Sequence, residues 1–131
     1  MIKFKKAKSV QNTFLQGYIE VPYEKLVKVF GPPEEGDGYK TQVEWRIEFE
    51  DGTIATIYDY KMSKEYLGPD EGLEPEEITE WHIGGREPQA VILVYTAIFG
   101  KSETIKKIFE EKIATFNLIG ECKWIQAYPG L

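Results

Sequence analysis

The chain has 131 residues, 42% hydrophobic and 14% aromatic, with a formal net charge of −6. That length predicts a single domain over 1–131, able to bury roughly two thirds of its unfolded surface. No stretch approaches the ~18 apolar residues of a membrane-spanning helix, and one cysteine, Cys122, excludes an internal disulfide and fits a reducing cytoplasm.

Ile2 to Val10 predicts a first strand with Ile2 and Phe4 on one face and lysines on the other, suited to a sheet edge. The positive N-terminus has no apolar run behind it and does not read as a signal peptide. Gln11-Asn12 offers a turn, and Thr13 to Val21 a second strand. There Leu15, Ile19 and Val21 alternate with Phe14, Gln16, Tyr18 and Glu20, and Gly17 marks a bulge or a close backbone approach. Pro22 opens a short helix over 22–30, whose apolar stripe is Tyr23, Leu26, Val27 and Phe30. Gly31-Pro32-Pro33 ends it, and residues 34–40 read as a polar loop.

The firmest pattern is a hairpin over 41–61. Val43, Trp45, Ile47 and Phe49 alternate with Glu44, Arg46, Glu48 and Glu50, the period of a strand with one buried face. Asp51-Gly52 suits a two-residue type I′ turn. That turn sets Phe49 opposite Ile54, Trp45 opposite Tyr58 and Val43 opposite Tyr60, leaving Glu44, Arg46, Glu48, Ala55, Ile57 and Asp59 on the other face. Residues 62–77 then read as an acidic surface loop. Ile78 to Ile83 reads as a strand stopped by Gly84-Gly85, with Trp81 and Ile83 on one side and Glu80 and His82 on the other.

Pro88 to about Phe99 predicts a helix that is apolar nearly all round and therefore buried on more than one side. Ser102 caps a second, amphipathic helix to about Asn117, and the tail 118–131 reads as a last strand, a docked tail or a partner-binding arm. The expected fold is α+β: an antiparallel sheet of four to five strands around the 41–61 hairpin, one short early helix and two C-terminal helices. Residues 1–85 supply mainly sheet, and 86–131 a helical pair plus tail. Two apolar helical stripes exceed what one small sheet face needs, which predicts a homodimer through the C-terminal helices.

Residue chemistry gives no prepared reaction centre. His82 and Cys122, the only histidine and cysteine, are far apart in sequence and cannot supply the four ligands of a structural zinc site. Asp70 to Glu77 lacks the spacing of a calcium loop, and Gly36 to Lys40 lacks that of a phosphate cradle. Glu44 and Glu48 flank Arg46 as a surface charge pattern rather than an acid–base pair. No catalytic residue, metal or cofactor is expected.

Two features remain. Residues 34–80 hold fifteen acids against four bases, whereas 1–33 are net +4. The acidic region reads either as a solvated surface or as a mimic of nucleic-acid phosphates. In the second case Glu44, Glu48, Glu50, Asp59, Asp70, Glu71, Glu74, Glu76, Glu77 and Glu80 form the contact surface. The other feature is a set of aromatics with cations. Tyr18, Tyr39, Arg46, His82 and Arg86 could clamp a nucleotide, while the buried hairpin face accounts for Trp45, Tyr58 and Tyr60.

Gln16-Gly17-Tyr18, Tyr23-Glu24-Lys25-Leu26-Val27, Phe30-Gly31-Pro32, Asp37-Gly38-Tyr39-Lys40-Thr41, Glu44-Trp45, Phe49 to Tyr58 and Trp81-His82-Ile83-Gly84-Gly85 occur in an order that resembles a family of small, uncharacterised bacteriophage and prophage proteins. The resemblance spans about residues 13–94, and the chain departs from the family's shorter pattern after Val94. It brings no catalytic residues to carry over. It implies a phage protein acting in the cytoplasm of a bacterial host cell, where small accessory phage proteins often blunt defence systems, CRISPR nucleases among them. The leading expectation is therefore a non-enzymatic, anti-CRISPR-like inhibitor that binds a nucleic-acid-handling host effector through its acidic surface, without contacting nucleic acid or membrane itself. The alternatives are a sponge for a small nucleotide immune signal and a phage structural or assembly protein.

Overall fold

The computed structural model describes residues 2–100. Their elements are β1 (Phe4–Lys6), β2 (Phe14–Glu20), α1 (Tyr23–Phe30), β3 (Glu34–Glu35), β4 (Val43–Phe49), β5 (Ile54–Tyr58), α2 (Lys64–Leu67), a 3-10 turn (Pro75–Glu77), β6 (Glu80–Gly85) and α3 (Gln89–Phe99). The α+β expectation holds in outline: the sheet is open and antiparallel, ordered β1-β4-β5-β6-β2, with two-residue β3 also pairing β4. The sixth strand comes from residues read as loop, because Glu34 and Glu35 pair with Glu44 and Val43. The second C-terminal helix, the tail, Cys122 and the expected dimer contact lie outside the described residues.

The central hairpin closes with a different register from the one its Asp-Gly pair suggests. The loop holds three residues, Glu50, Asp51 and Gly52: the Phe49 N–H donates to the Thr53 carbonyl and the Gly52 N–H to the Phe49 carbonyl, both at 2.9 Å. Only Gly52 takes a positive φ, 90°, so the turn is not type I′, which needs two. Asp51 instead accepts the Thr53 N–H at 2.9 Å. The extra residue pairs Trp45 with Ile57, Ile47 with Ala55, Arg46 with Thr56 and Glu44 with Tyr58. A one-residue slip exchanges the faces of a strand. Ala55 and Ile57 therefore enter the core, while Thr56 and Tyr58 join Glu44 and Arg46 on the opposite face.

Helices α1 and α3 cover the core face. One cluster joins Leu26 of α1 and Ala90, Val91, Val94, Tyr95 and Ile98 of α3 to Trp45, Ile47, Ile57, Trp81, Ile83 and Ile19. The two indoles meet edge to face at 5.4 Å. Each also anchors a chain reversal, Trp45 Nε1–H donating to the Gly31 carbonyl at 2.7 Å and Trp81 Nε1–H to the Val21 carbonyl at 2.9 Å. Such polar tips let a large aromatic be buried without an orphaned donor.

Two further expectations are corrected. The bulge that Gly17 signals does occur, between Leu15 and Gly17, but it shifts the alternation of β2, so Leu15 and Phe14 are exposed and Gln16 is buried. Its side-chain amide donates to the Gly85 carbonyl at 3.0 Å. And Gly84-Gly85 do not stop β6; both pair within the sheet, Gly84 with Thr56 and Leu15, Gly85 with Ala55 and Phe14. Their lack of a side chain is a packing requirement. A Cβ on Gly84 would stand 2.4 Å from Thr56 Oγ1, and one on Gly85 2.5 Å from Ala90 Cβ, where α3 crosses the sheet.

Candidate functional site

The acidic hairpin surface expected from the sequence separates into three environments. Asp59 is fully buried, because the register turns it inward where β4 begins. Its Oδ1 accepts the N–H groups of Gln42 (2.8 Å) and Val43 (3.1 Å), and its Oδ2 accepts Gln42 Nε2 at 3.1 Å. It is a structural clamp with no carboxylate to show a partner. Glu44 and Glu48 remain on the far face but are matched by bases: Arg46 Nε stands 2.6 Å from Glu44 and 3.5 Å from Glu34, Lys5 3.8 Å from Glu48, and Lys6 pairs with Glu34. The Lys6 ammonium holds the Glu34 carboxyl below its usual range, and Glu44 pushes the Arg46 guanidinium further up. Glu50 is exposed at the hairpin tip, about 20 Å along a seven-residue strand from the other acids.

Those other acids form one lobe. Glu65, Asp70, Glu71, Glu74, Glu76, Glu77 and Glu80 are all exposed, and no base lies among residues 65–80. Only Glu74 has an ion partner among the described residues, Lys64 at 3.2 Å. The lobe has more local structure than a simple loop. Ser63 is buried, donates its hydroxyl to the Tyr39 carbonyl and accepts the Tyr66 N–H at 3.1 Å, capping α2. Glu74 and Glu77 close a capping box around the 3-10 turn. Gly72 packs so closely on Lys64 that a Cβ there would stand 2.3 Å from its Cα. The carboxylates are thus displayed on a fixed scaffold.

The expected nucleotide clamp is divided. Tyr18 and His82 are cross-strand partners with ring centroids 4.9 Å apart. Tyr39 instead meets Tyr66 edge to face, at 5.1 Å, beyond an Asx turn in which Asp37 accepts the N–H groups of Tyr39 and Thr41. Arg46 is taken up by Glu34 and Glu44, and Arg86 donates to the Gln11 carbonyl at 3.1 Å at the opposite end of β6 from Glu80. What replaces the clamp is a row that crosses four strands: Glu44, Tyr58, His82 and Tyr18. The rings of Tyr58 and Tyr60 lie 5.5 and 5.2 Å from His82. Burial keeps the His82 imidazole below the ordinary histidine pKa, opposed in part by Asp59, and burial followed by Glu44 pushes the Tyr58 phenol up. His82 makes ring contacts but no hydrogen bond among the described residues.

Among the described residues, α1 and α3 both pack on the opposite face and leave this row uncovered. Tyr18, Tyr58 and His82 are half-buried, and Tyr60 is exposed with Lys61 Nζ lying 5.2 Å from its centroid. Beside Tyr18 and His82, one row nearer the acidic lobe, Glu20 and Glu80 face each other across β2 and β6. Both are exposed, and neither has a basic partner among the described residues. Glu20 escaped the sequence reading, since its pairing with Glu80 depends on a bulge and a strand order that no short motif encodes.

No helix among the described residues is long and apolar enough to cross a membrane, and no group of three or more His, Cys, Asp or Glu there is disposed to hold a metal ion. No protein-family model and no curated protein matches the chain.

Proposed function

We propose that this chain is a non-enzymatic, phage-encoded anti-defence protein that binds a host nucleic-acid-handling effector and inhibits it, in the manner of an anti-CRISPR protein. The observation that carries the reading is the lobe at 65–80, seven exposed carboxylates of which one is ion-paired among the described residues, held by a capped helix, a capping box and a buried serine. A fixed row of carboxylates in a basic groove gains the counterion-release free energy that the displaced nucleic acid would gain. The phage setting is supported by the ordered resemblance over 13–94. The hairpin contributes less than its sequence suggests, because Glu44 and Glu48 are already paired and Asp59 is interior.

The test is binding to a panel of purified CRISPR effectors with and without guide RNA, repeated with Asp70, Glu71, Glu76 and Glu77 changed to lysine. The expected result is binding that weakens steeply between low and physiological salt and is lost on charge reversal. Binding to none of the effectors, or binding unchanged by reversal, refutes the reading. A nucleotide sponge finds less support, since Arg46 is paired with Glu44 and Glu34 and Arg86 donates to the Gln11 carbonyl.

A further inference from the structure

We infer that the far face of the sheet recognises arginine. A guanidinium of the partner protein stacks on the Tyr18–His82–Tyr58 row and forks onto Glu20 and Glu80. This rests on the function proposed above and names the partner chemistry that the face accepts.

Three observations converge on it. First, an aromatic row that no helix covers among the described residues offers π faces, which attract cations within about 6 Å of a ring centroid. The patch already attracts one: Lys61 Nζ lies 5.2 Å from the Tyr60 centroid and 5.6 Å from that of Tyr66. Lys61 stands over Tyr60 and Tyr66 only, so Tyr18, Tyr58 and His82, which pack on one another, carry no cation among the described residues.

Second, Glu20 and Glu80 are directly opposed in the β2–β6 register. Like charges in that position repel. Elsewhere on this face Glu44 and Glu48 each have a base within 4 Å, whereas Glu20 and Glu80 have none among the described residues. An external cation relieves the repulsion.

Third, the spacing suits a long planar cation. Alternate residues on one strand face lie about 7 Å apart, so a guanidinium over Tyr18 or His82 reaches carboxylates one row on. Arginine matches both elements, a flat face to stack and a fork for two carboxylates, where a lysine ammonium offers a point charge. A nucleotide meets the same rings but brings phosphates against Glu20 and Glu80. Glu80 belongs to the acidic lobe as well as to this pair, so one basic surface can engage both.

The experiment uses the full chain, labelled with nitrogen-15 and titrated with nona-arginine and, separately, nona-lysine. The expected result is amide shifts at Tyr18, Glu20, Tyr58, Glu80 and His82, with the arginine peptide binding at least about fivefold tighter. Glu20→Gln combined with Glu80→Gln should weaken nona-arginine by about tenfold or more. These exposed substitutions remove a repulsion, so the fold is expected to persist, and the arginine-against-lysine comparison needs no variant. Shifts confined to residues 65–77, equal affinity for the two peptides, or a loss within about twofold in the double variant overturns the assignment. If effector binding is lost on charge reversal in the lobe but kept in the E20Q/E80Q protein, this inference fails and the proposed function stands.

Discussion

Changing Asp59 tests the corrected hairpin directly. The sequence pattern offers this residue as a surface acid, whose replacement should cost almost nothing. The structure makes it the acceptor for two backbone N–H groups at the start of β4 and for the Gln42 side chain, inside a fully buried position. Asp59→Ala strands all three donors. A buried donor left unpaired costs about 1–3 kcal/mol, and β4 is the strand that carries Trp45. Allowing for water reaching the half-buried Gln42, the expected loss is about 3–5 kcal/mol, a large part of the ~5–15 kcal/mol that holds a domain of this kind. Asp59→Asn should cost less, about 1–2 kcal/mol, because its oxygen can still serve the two backbone donors. Its amide would face the Gln42 amide, which cannot turn over without giving up its 3.1 Å bond to the Leu73 carbonyl. Urea unfolding followed by tryptophan fluorescence reads both values, provided the denaturant slope is unchanged. An Asp59→Ala protein within about 0.5 kcal/mol of the parent, or an Asn variant as damaged as the Ala one, would refute the clamp and with it the register.

Other substitutions follow from the same packing. Gly85→Ala sets a methyl 2.5 Å from Ala90 Cβ and should destabilise by about 1–3 kcal/mol as α3 is pushed from the sheet, measured by thermal melting. Gly52→Ala forces a side chain into a φ of 90° at a loop with nothing within 4 Å, so a loss of about 1 kcal/mol should appear from backbone strain alone. His82 is held below its unfolded pKa, so the unfolded chain binds the proton first. Its contribution to stability is full above about pH 6.5 and is lost as pH falls through the lower folded-state pKa. His82→Gln should flatten the dependence of the urea midpoint between pH 7 and 5.5, and an unchanged slope would count against the buried, uncharged ring.

Much of the scaffold was readable because its signals are local. The 3.6-residue stripe of α1, the uniformly apolar α3, the Gly17 bulge and the inward Trp81 and Ile83 all follow from spacing within a dozen residues. The errors came where two distant segments decide the outcome. Gly84-Gly85 looks like punctuation, yet it lies flat in the sheet because Thr56 and Ala90 occupy the space of a Cβ. Arg46 balances Glu44 within the strand, whereas the counter-charge of Glu48 is Lys5, supplied by β1. Glu20 looked unremarkable because its like-charged neighbour is sixty residues away.

The loop of three residues at the hairpin tip is therefore what fixes the chemistry of the far face. Asp-Gly is compatible with a two-residue turn as well as with a longer one closed by a left-handed glycine, and nothing in the loop itself chooses strongly between them. The choice is made by burial. The two-residue register would send Ala55 and Ile57 outward and turn Thr56 and Tyr58 toward α3. The observed one buries Ile57 completely beside Ile83 and Ala55 beside Gly85, where a Cβ on Gly85 would already stand 2.5 Å from Ala90 Cβ. The small residues at 55 and 85 thus select the register under α3. That same selection delivers Tyr58 to the opposite face beside His82 and Tyr18. An Ala55→Leu protein should reveal this link, since a bulky side chain under α3 would disturb both the core and the ring contacts of His82. A folded variant with unchanged tyrosine and His82 resonances would show that the aromatic row does not depend on that packing.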